Sequence, residues 1–340
     1  MKKVPVADSV GMVLSHDMTR IIPGKFKGPA FKKGHVIKPE DIPVLLSMGK
    51  DHIYVWDPPA GHIHENDAAY RIAKAVAGIG ISYGEPHEGK ISFKAEHDGL
   101  LRVNKEAVNQ INSIMYMCLS TLHDNFPVTR EKIVAATRVI PLTIEDKAVQ
   151  EVESLAEKYS WIIKVVQYKP FNIGVVITGN EVYYGRINDA FGPVLRDKLG
   201  EYGYSIQEQC YMPDEPAKIT EAILNMHKNG RNLILVAGGM SVDPDDNTPG
   251  AIKNTGAKII TYGTPVLPGA MFMVAELEGT VVLGLPACVI HAKATILDIM
   301  LPRILAGEPV SRADITRLGV GGLCESCSEC RFPHCGFGKN

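Results

Sequence analysis

Between Asn232 and Gly250 the chain reads NLILVAGGMSVDPDDNTPG, an apolar run that ends at Gly238 and Gly239 and is followed at once by Asp243, Asp245 and Asp246. Glycine lets a backbone come close to a ligand and aim its N–H groups at an anion. Carboxylates are hard oxygen donors of the kind that Mg²⁺ takes. A phosphate cradle beside a magnesium site is the chemistry this spacing specifies. A second segment, TGNEVYYGRINDAF from Thr178 to Phe191, adds Glu181 and Asp189. Glu181, Asp189, Asp243, Asp245 and Asp246 are therefore the candidate metal ligands. Thr178, Gly179, Gly238, Gly239, Ser241 and Thr248 are the candidate anion holders, through backbone N–H and hydroxyl groups. Acidic Gly-rich segments are also ordinary turn material, in which Asp caps the next helix. What favours a site is that both segments follow a strand.

Those strands belong to a regular alternation that begins near Lys169. FNIGVVIT, YSIQEQCYM, NLILVAGG, AKIITYG, MFMVAEL and TVVLGL read as strands. INDAFGPVLRDKLGEYG reads as a helix closed by Gly203, and Asp214 with Pro216 opens a second through MHKNG. PACVIHAKATILDIMLPRILAG reads as one long helix. Strand and helix alternating at this spacing predict an α/β fold with a doubly wound, mostly parallel sheet. In such sheets ligands sit beyond the carboxyl ends of the strands at the point where the winding reverses. Both acidic segments would open on that crevice if their strands are neighbours.

The chain before this is less regular. Residues 1–57 read as a small β-rich module with a short helix after Asp41, ended by Gly49, and a loop from Pro23 to Lys33. DPPAG, Asp57 to Gly61, marks a boundary. His62 and His64 fit the solvated start of the helix AAYRIAKAVAG better than a metal site. Residues 81–100 read as turns. KEAVNQINSIMYMCLSTLHDN has Val108, Ile111, Met115, Leu119 and Leu122 at helical spacing and predicts one long amphipathic helix. EKIVAATRVIPL reads as a strand and IEDKAVQEVESLAEKYS as a helix. The expected division is 1–57, an α+β middle region 58–168, the α/β domain 169–306, and a tether with a Cys-rich tail 307–340.

A chain of 340 residues exceeds one ordinary core. Its 36 Lys and Arg balance 38 Asp and Glu, which gives no electrostatic case for nucleic acid or an anionic membrane as main partner. MKKVPVADSV meets Pro5, Asp8 and His16 too soon for a signal peptide, and no window is apolar for long enough to span a membrane. The cytoplasm is the expected location. Cys118, Cys210 and Cys288 read as small core residues.

The segments TGNEV with GRINDAF, AGGMSVDPDDNTP, PVLPGAMF and GLPACV resemble the molybdopterin-binding fold of molybdenum cofactor biosynthesis, over about residues 170–306. DSVGMVL and GHVIKPEDIPVLLSMG are more weakly similar to linker regions of molybdopterin molybdenumtransferases. The resemblance implies a pterin–dithiolene phosphate, or its adenylylated form, as ligand and substrate, with Pro268 and Gly269 also in the binding set. It assigns Asp189 and Asp246 as the catalytic carboxylates, implies Mg²⁺ at the phosphoanhydride, and leads to an expected homo-oligomer. This chain departs from the transferases at three points. Leu267 and Ala270 stand where lysines flank the Pro-Gly pair, GLPACV replaces Gly-Leu-Pro-Gly-Asn-Pro, and Phe191 follows where an Asn is usual. An oxyanion such as molybdate needs donors or cations to hold it, so these departures remove donors for molybdate and leave pterin or nucleotide binding intact. The phrase GGMSVDPDDNT also resembles the competence-damage-inducible family, which implies divalent-metal hydrolysis of nucleotide pyrophosphates. A third alternative is a pterin-binding sensor or carrier without catalysis.

The tail, GVGGLCESCSECRFPHCGFGKN, sets Cys324, Cys327, Cys330 and Cys335 in a C-x₂-C-x₂-C-x₄-C run. Four thiols so spaced in a cytosolic chain point to a metal or cluster. The run approaches that of a [4Fe–4S] ferredoxin site, with the last gap one residue longer and Gly336 in place of proline. Four-thiolate zinc is the alternative, and His334 a substitute ligand. An unligated tail on a flexible GVGG tether is the third.

Overall fold

Six segments between Ile173 and Leu285 pair into one sheet in a computed structural model of the chain, which describes residues 1–22, 26–244 and 246–339. The strands are β1 (Ile173–Thr178), β2 (Ile206–Met212), β3 (Leu233–Ala237), β4 (Lys258–Tyr262), β5 (Met273–Leu277) and β6 (Thr280–Leu285). Their order is β2-β1-β3-β6-β5-β4, parallel from β2 to β6, with β5 antiparallel to both its neighbours. The central strands β1 and β3 are buried along their whole length, which their unbroken apolar sequence requires of a sheet covered on both faces. On one face pack α2 (Phe191–Gly200) and α6 (Ile296–Leu305), through Leu195, Leu199, Ile296 and Leu297. On the other pack α3 (Pro216–Lys228) and α4 (Thr248–Asn254), through Ile219, Ile223 and Ile252. Completing this set are α1 (Asn180–Tyr183), α5 (Cys288–His291) and α7 (Arg312–Arg317). The doubly wound α/β fold is present as the alternation predicts.

The single long helix expected over 286–307 is two. A bend from Ala292 to Thr295 separates α5 from α6, because Thr295 and Asp298 form a capping box that starts the second helix afresh. The GVGG stretch is no free tether. Gly322 accepts the Leu267 N–H (2.8 Å), and a Cβ on Gly321 would lie 2.3 Å from the Lys339 carbonyl oxygen. Phe337 is buried in the same core as α6.

By packing, the chain divides into one unit of Met1–Asp124 with Val128–Val166 and a second of Asn125–Pro127 with Gln167–Asn340. In the first, Lys2–Pro5 pairs antiparallel with His52–Val55, over a core that includes Val4, Leu14, Ile37 and Leu45. Phe26–Phe31 is a strand paired with Met18–Ile22 where a loop was expected; Pro23, Gly24 and Lys25 of that segment lie outside the described residues. The expected turns at 81–100 contain strands Ile81–Tyr83 and Lys90–Ala95, in a four-stranded sheet with Ile133–Val139 and Met117–Thr121. The long amphipathic helix is only Lys105–Ser113. Beyond it Met115 is exposed, Tyr116 takes a positive φ of 69°, and Met117–Thr121 pairs with Ile133–Val139. The Asn112 side chain fixes this switch by bonding both the N–H and the C=O of Leu119.

His64 is buried, not solvated, at the start of helix Glu65–Val76. Its Nδ1 accepts the Asn66 N–H (3.1 Å), so the proton is on Nε2, which donates to the Ser15 carbonyl (2.8 Å). The bond accepted at Nδ1 needs the neutral ring. Burial, and then the Lys33 charge, hold its pKa below the usual value of 6.5. A folded pKa below the unfolded one gives stability that is full above the unfolded value and lost as pH falls through the folded one. The urea midpoint of the protein should therefore drop between about pH 7 and 5. His64→Asn, which keeps a capping acceptor, should show a shallower fall.

Candidate functional site

The chain leaves β1 toward β2 on one side and returns to β3 on the other, so the winding reverses between β1 and β3. Thr178 ends β1 and Ala237 ends β3, in adjacent register, and the two predicted loops follow directly. At this point Gly238 (φ 102°) and Gly239 (φ 56°) turn the backbone sharply. A Cβ on Gly238 would lie 2.5 Å from the Thr178 carbonyl oxygen, and one on Gly239 would lie 2.8 Å from Thr248 Oγ1. Only glycine fits either place.

The sequence assigned both threonines to a bound anion, but the structure uses them internally. Thr178 Oγ1 donates to the Ala237 carbonyl (3.4 Å) and lies 3.2 Å from Thr248 Oγ1, with both residues buried. They clamp β1 and β3 to the first turn of α4, whose Thr248 N–H donates to Gly239 O (3.1 Å). Gly238 commits its N–H to the Leu285 carbonyl (3.2 Å). Among the described residues, Gly239 is then the glycine of the pair whose N–H is not committed to a protein acceptor. Ser241 and Asp243 are exposed beyond it and Asp246 is half-buried, with its N–H on the Asp243 carbonyl (2.9 Å). Asp245 lies outside the described residues.

Asp189 is held from three sides: its carboxylate accepts the Gly192 N–H (2.9 Å), Gln209 Nε2 (3.1 Å) and the Tyr211 hydroxyl (3.2 Å). Burial, and then the Asp189 charge, push the Tyr211 phenol up, so it stays a donor at neutral pH. Glu181 is exposed in α1, its carboxylate beside Gly179. Among the described residues no three His, Cys, Asp or Glu side chains are gathered closely enough to hold a metal ion. Glu181, Asp189, Asp243 and Asp246 thus form no such group among the described residues; Asp245, the fifth of the expected set, lies outside them. Asp189 is tied to α2 and β2 instead.

Three residues organise the crevice in a way the sequence reading missed. Asp214, expected to cap α3, accepts the Asn180 N–H (2.9 Å). Its own N–H donates to Asn180 Oδ1 (3.4 Å), and its carbonyl accepts Asn247 Nδ2 (3.0 Å). One aspartate thereby joins the loops after β1, β2 and β3. The available signal was position: Asn180 and Asp214 stand two residues past a strand end, and Asn247 stands just before α4.

Pro268 and Gly269 lie at the same edge of the sheet, beyond β6, because antiparallel β5 starts where β6 ends. Gly269 (φ 131°) abuts Ile296 at the start of α6, and the Pro268 carbonyl accepts the Ile296 N–H (3.2 Å). The turn before α6 is braced by Lys198, whose ammonium bonds the Asp298 carboxylate and the Lys293 carbonyl (3.1 Å) while Asp298 caps Thr295. No described helix is long and apolar enough to cross a membrane.

Residues 174–306 match a family model described as "Probable molybdopterin binding domain", and residues 3–57 one described as "Domain of unknown function (DUF8806)". The six-stranded unit therefore carries the molybdopterin-binding fold. Among individual proteins, the chain is 39% identical over 75 residues to a CinA-like protein of Mycobacterium tuberculosis, covering 22% of this chain and 17% of that protein. A CinA-like protein of Mycolicibacterium gilvum is 37% identical over 75 residues. The chain thus spans less than a fifth of the length of these curated relatives. Among solved structures, the molybdopterin biosynthesis enzyme MoaB of Thermus thermophilus matches at 21% identity and a TM-score of 0.34, over 41% of this chain and 99% of that one. The molybdopterin biosynthesis MoeA protein of Pyrococcus horikoshii matches at 13% identity and a TM-score of 0.34, over 90% of this chain and 74% of that one.

Two substitutions test this geometry. Gly238→Ala forces a Cβ against the Thr178 carbonyl and should cost about 2 kcal/mol of stability in urea unfolding. Lys198→Met leaves the largely buried Asp298 carboxylate without its cation and should cost roughly 3 kcal/mol by the same measurement. A neutral result for either would mean the local packing differs from that described.

Proposed function

We propose that the crevice at the ends of β1 and β3 binds molybdopterin or its adenylylated form, and that the chain serves molybdenum cofactor biosynthesis as a Mg²⁺-dependent, molybdenumtransferase-type enzyme. What carries this is the Gly238–Gly239 turn, set at the reversal of winding inside the span that matches the molybdopterin-binding model. The Gly239 N–H and the Ser241 hydroxyl are the donors for the ligand's phosphate. Asp246, with Asp243 in the same loop, supplies carboxylates for magnesium. That donor set fits, because Mg²⁺ is commonly held by one or two carboxylates together with substrate phosphates, not by an all-protein cage. The ion, when bound, neutralises charge on the leaving phosphate oxygen. Asp189, fixed by Gln209 and Tyr211, keeps the start of α2 in place beside the pocket and offers its carboxylate to the pterin side of the ligand. Asp214 sets the spacing of the three loops.

A second use of the same crevice, hydrolysis of nucleotide pyrophosphates, is favoured by the identity with CinA-like proteins and by the lack of lysines beside Pro268 and Gly269. The two differ in substrate. The first expects AMP release from adenylylated molybdopterin with Mg²⁺ and none from ADP-ribose; the reverse pattern selects the second. In either case Asp246→Asn should lower the rate on the order of 100-fold with ligand affinity measured by calorimetry nearly unchanged. Binding without turnover of either substrate would leave a carrier, and no binding at all would remove the proposal.

A further inference from the structure

The Cys-rich tail is fastened at both ends and has no regular structure between. At its start Leu267 donates its N–H to Gly322 O and accepts the Cys324 N–H, each at 2.8 Å; at its end Gly338 donates to Gly321 O (2.9 Å). Both closures are tight, since a Cβ on Gly338 would lie 2.7 Å from the Ile299 side chain. Phe337 is buried in the α6 core, and Cys324, Phe332 and Cys335 pack against that core. Between these ties no described residue from 324 to 338 lies in a helix or strand. Loops this long without secondary structure are uncommon and usually functional. The order of this one has to come from something other than a backbone ladder.

The loop closes over a cavity of about 720 Å³. All four tail cysteines line it, together with Pro268, Cys288 and His291, the cationic Lys293 and Arg331, and the acidic Glu325. A single zinc ion would need its four sulfurs about 3.8 Å apart, from tetrahedral Zn–S bonds of about 2.3 Å. The thiols are not drawn to one point in that way; they stand around a space. A polynuclear cluster spreads its thiolates over separate irons, and with four thiolates its net charge is negative; in the lining Lys293 and Arg331 outweigh Glu325 and offset it.

We propose that this cavity is the seat of an iron–sulfur cluster, ligated by Cys324, Cys327, Cys330 and Cys335, with Pro268 in its wall. The cavity's lining includes none of the residues proposed to hold the phosphate or magnesium, and its loading is measured without pterin, so it stands or falls independently of the proposed function.

The test is anaerobic reconstitution of the full chain with ferrous iron and sulfide. About four irons and four acid-labile sulfides per chain are expected, with broad visible absorbance. Cys327→Ser/Cys330→Ser should lose all of it, whereas Cys210→Ser and Cys288→Ser should retain it. Cys327 and Cys330 are exposed, so the double variant folds, and its metal-free thermal midpoint should match that of the parent. Loading should also protect residues 321–338 from limited proteolysis. One zinc per chain without sulfide, iron that survives the double variant, iron lost on Cys288→Ser, or no metal uptake would each overturn the proposal.

Discussion

The ends of β1 and β3 approach so closely that a single added carbon at Gly238 would collide with the carbonyl oxygen of Thr178. The form of the crevice depends on that contact. It forces the left-handed backbone of Gly238 and Gly239 and brings Thr248 within bonding distance of Thr178. It also turns the following loop out over the sheet edge with Asp243 and Asp246 on it. A sheet wound in one direction only would have no such junction, because consecutive crossovers would fill the space above every strand end. Here the return to the far side of β1 leaves that space open.

The strands of this unit were legible because their burial is complete. Ile173–Thr178 and Leu233–Ala237 are apolar at every position or nearly so, and only a sheet covered on both faces accommodates that. Where an element is half-exposed, periodicity misled. Val108, Ile111, Met115, Leu119 and Leu122 satisfy a helical repeat, yet Met117 and Leu119 also satisfy a two-residue one. The choice was made by a partner strand, Ala135 to Val139 pairing with Thr121 to Met117, and by Asn112 reaching forward to Leu119. Such long-range pairing leaves little trace in a local window. The break between α5 and α6 was readable in principle, since Thr295 followed by Asp298 is a capping box within an apolar run.

At the site, residue type showed where chemistry could occur but not how each group is engaged. Thr178 and Thr248 are the right hydroxyls for a phosphate, and their burial turns them into a clamp instead. Asp189 carries the right carboxylate, and Gln209 and Tyr211 on β2 take hold of it. Asp214 looked like a helix cap because Pro216 follows. Its carboxylate bonds Asn180 across the strand ends, a partner 34 positions away in sequence. Each difference has one origin: a polar group near a buried strand end must satisfy its hydrogen bonds before it can serve a ligand.

The antiparallel strand β5 has a consequence for the tail. Because it runs back from the carboxyl end of β6, the Leu267–Gly269 loop and Cys288 arrive at one edge of the sheet, next to the strand end that supplies Gly239. The link is direct, as Gly238 donates its N–H to Leu285, the last residue of β6. Had β5 been parallel, that loop would have opened at the opposite edge, and the tail anchored on Leu267 would have followed it there. The topology of one strand thus sets the thiol-lined cavity beside the phosphate crevice. A ligand at Gly239 and a centre held by the tail would be served by adjacent strand ends, β3 and β6.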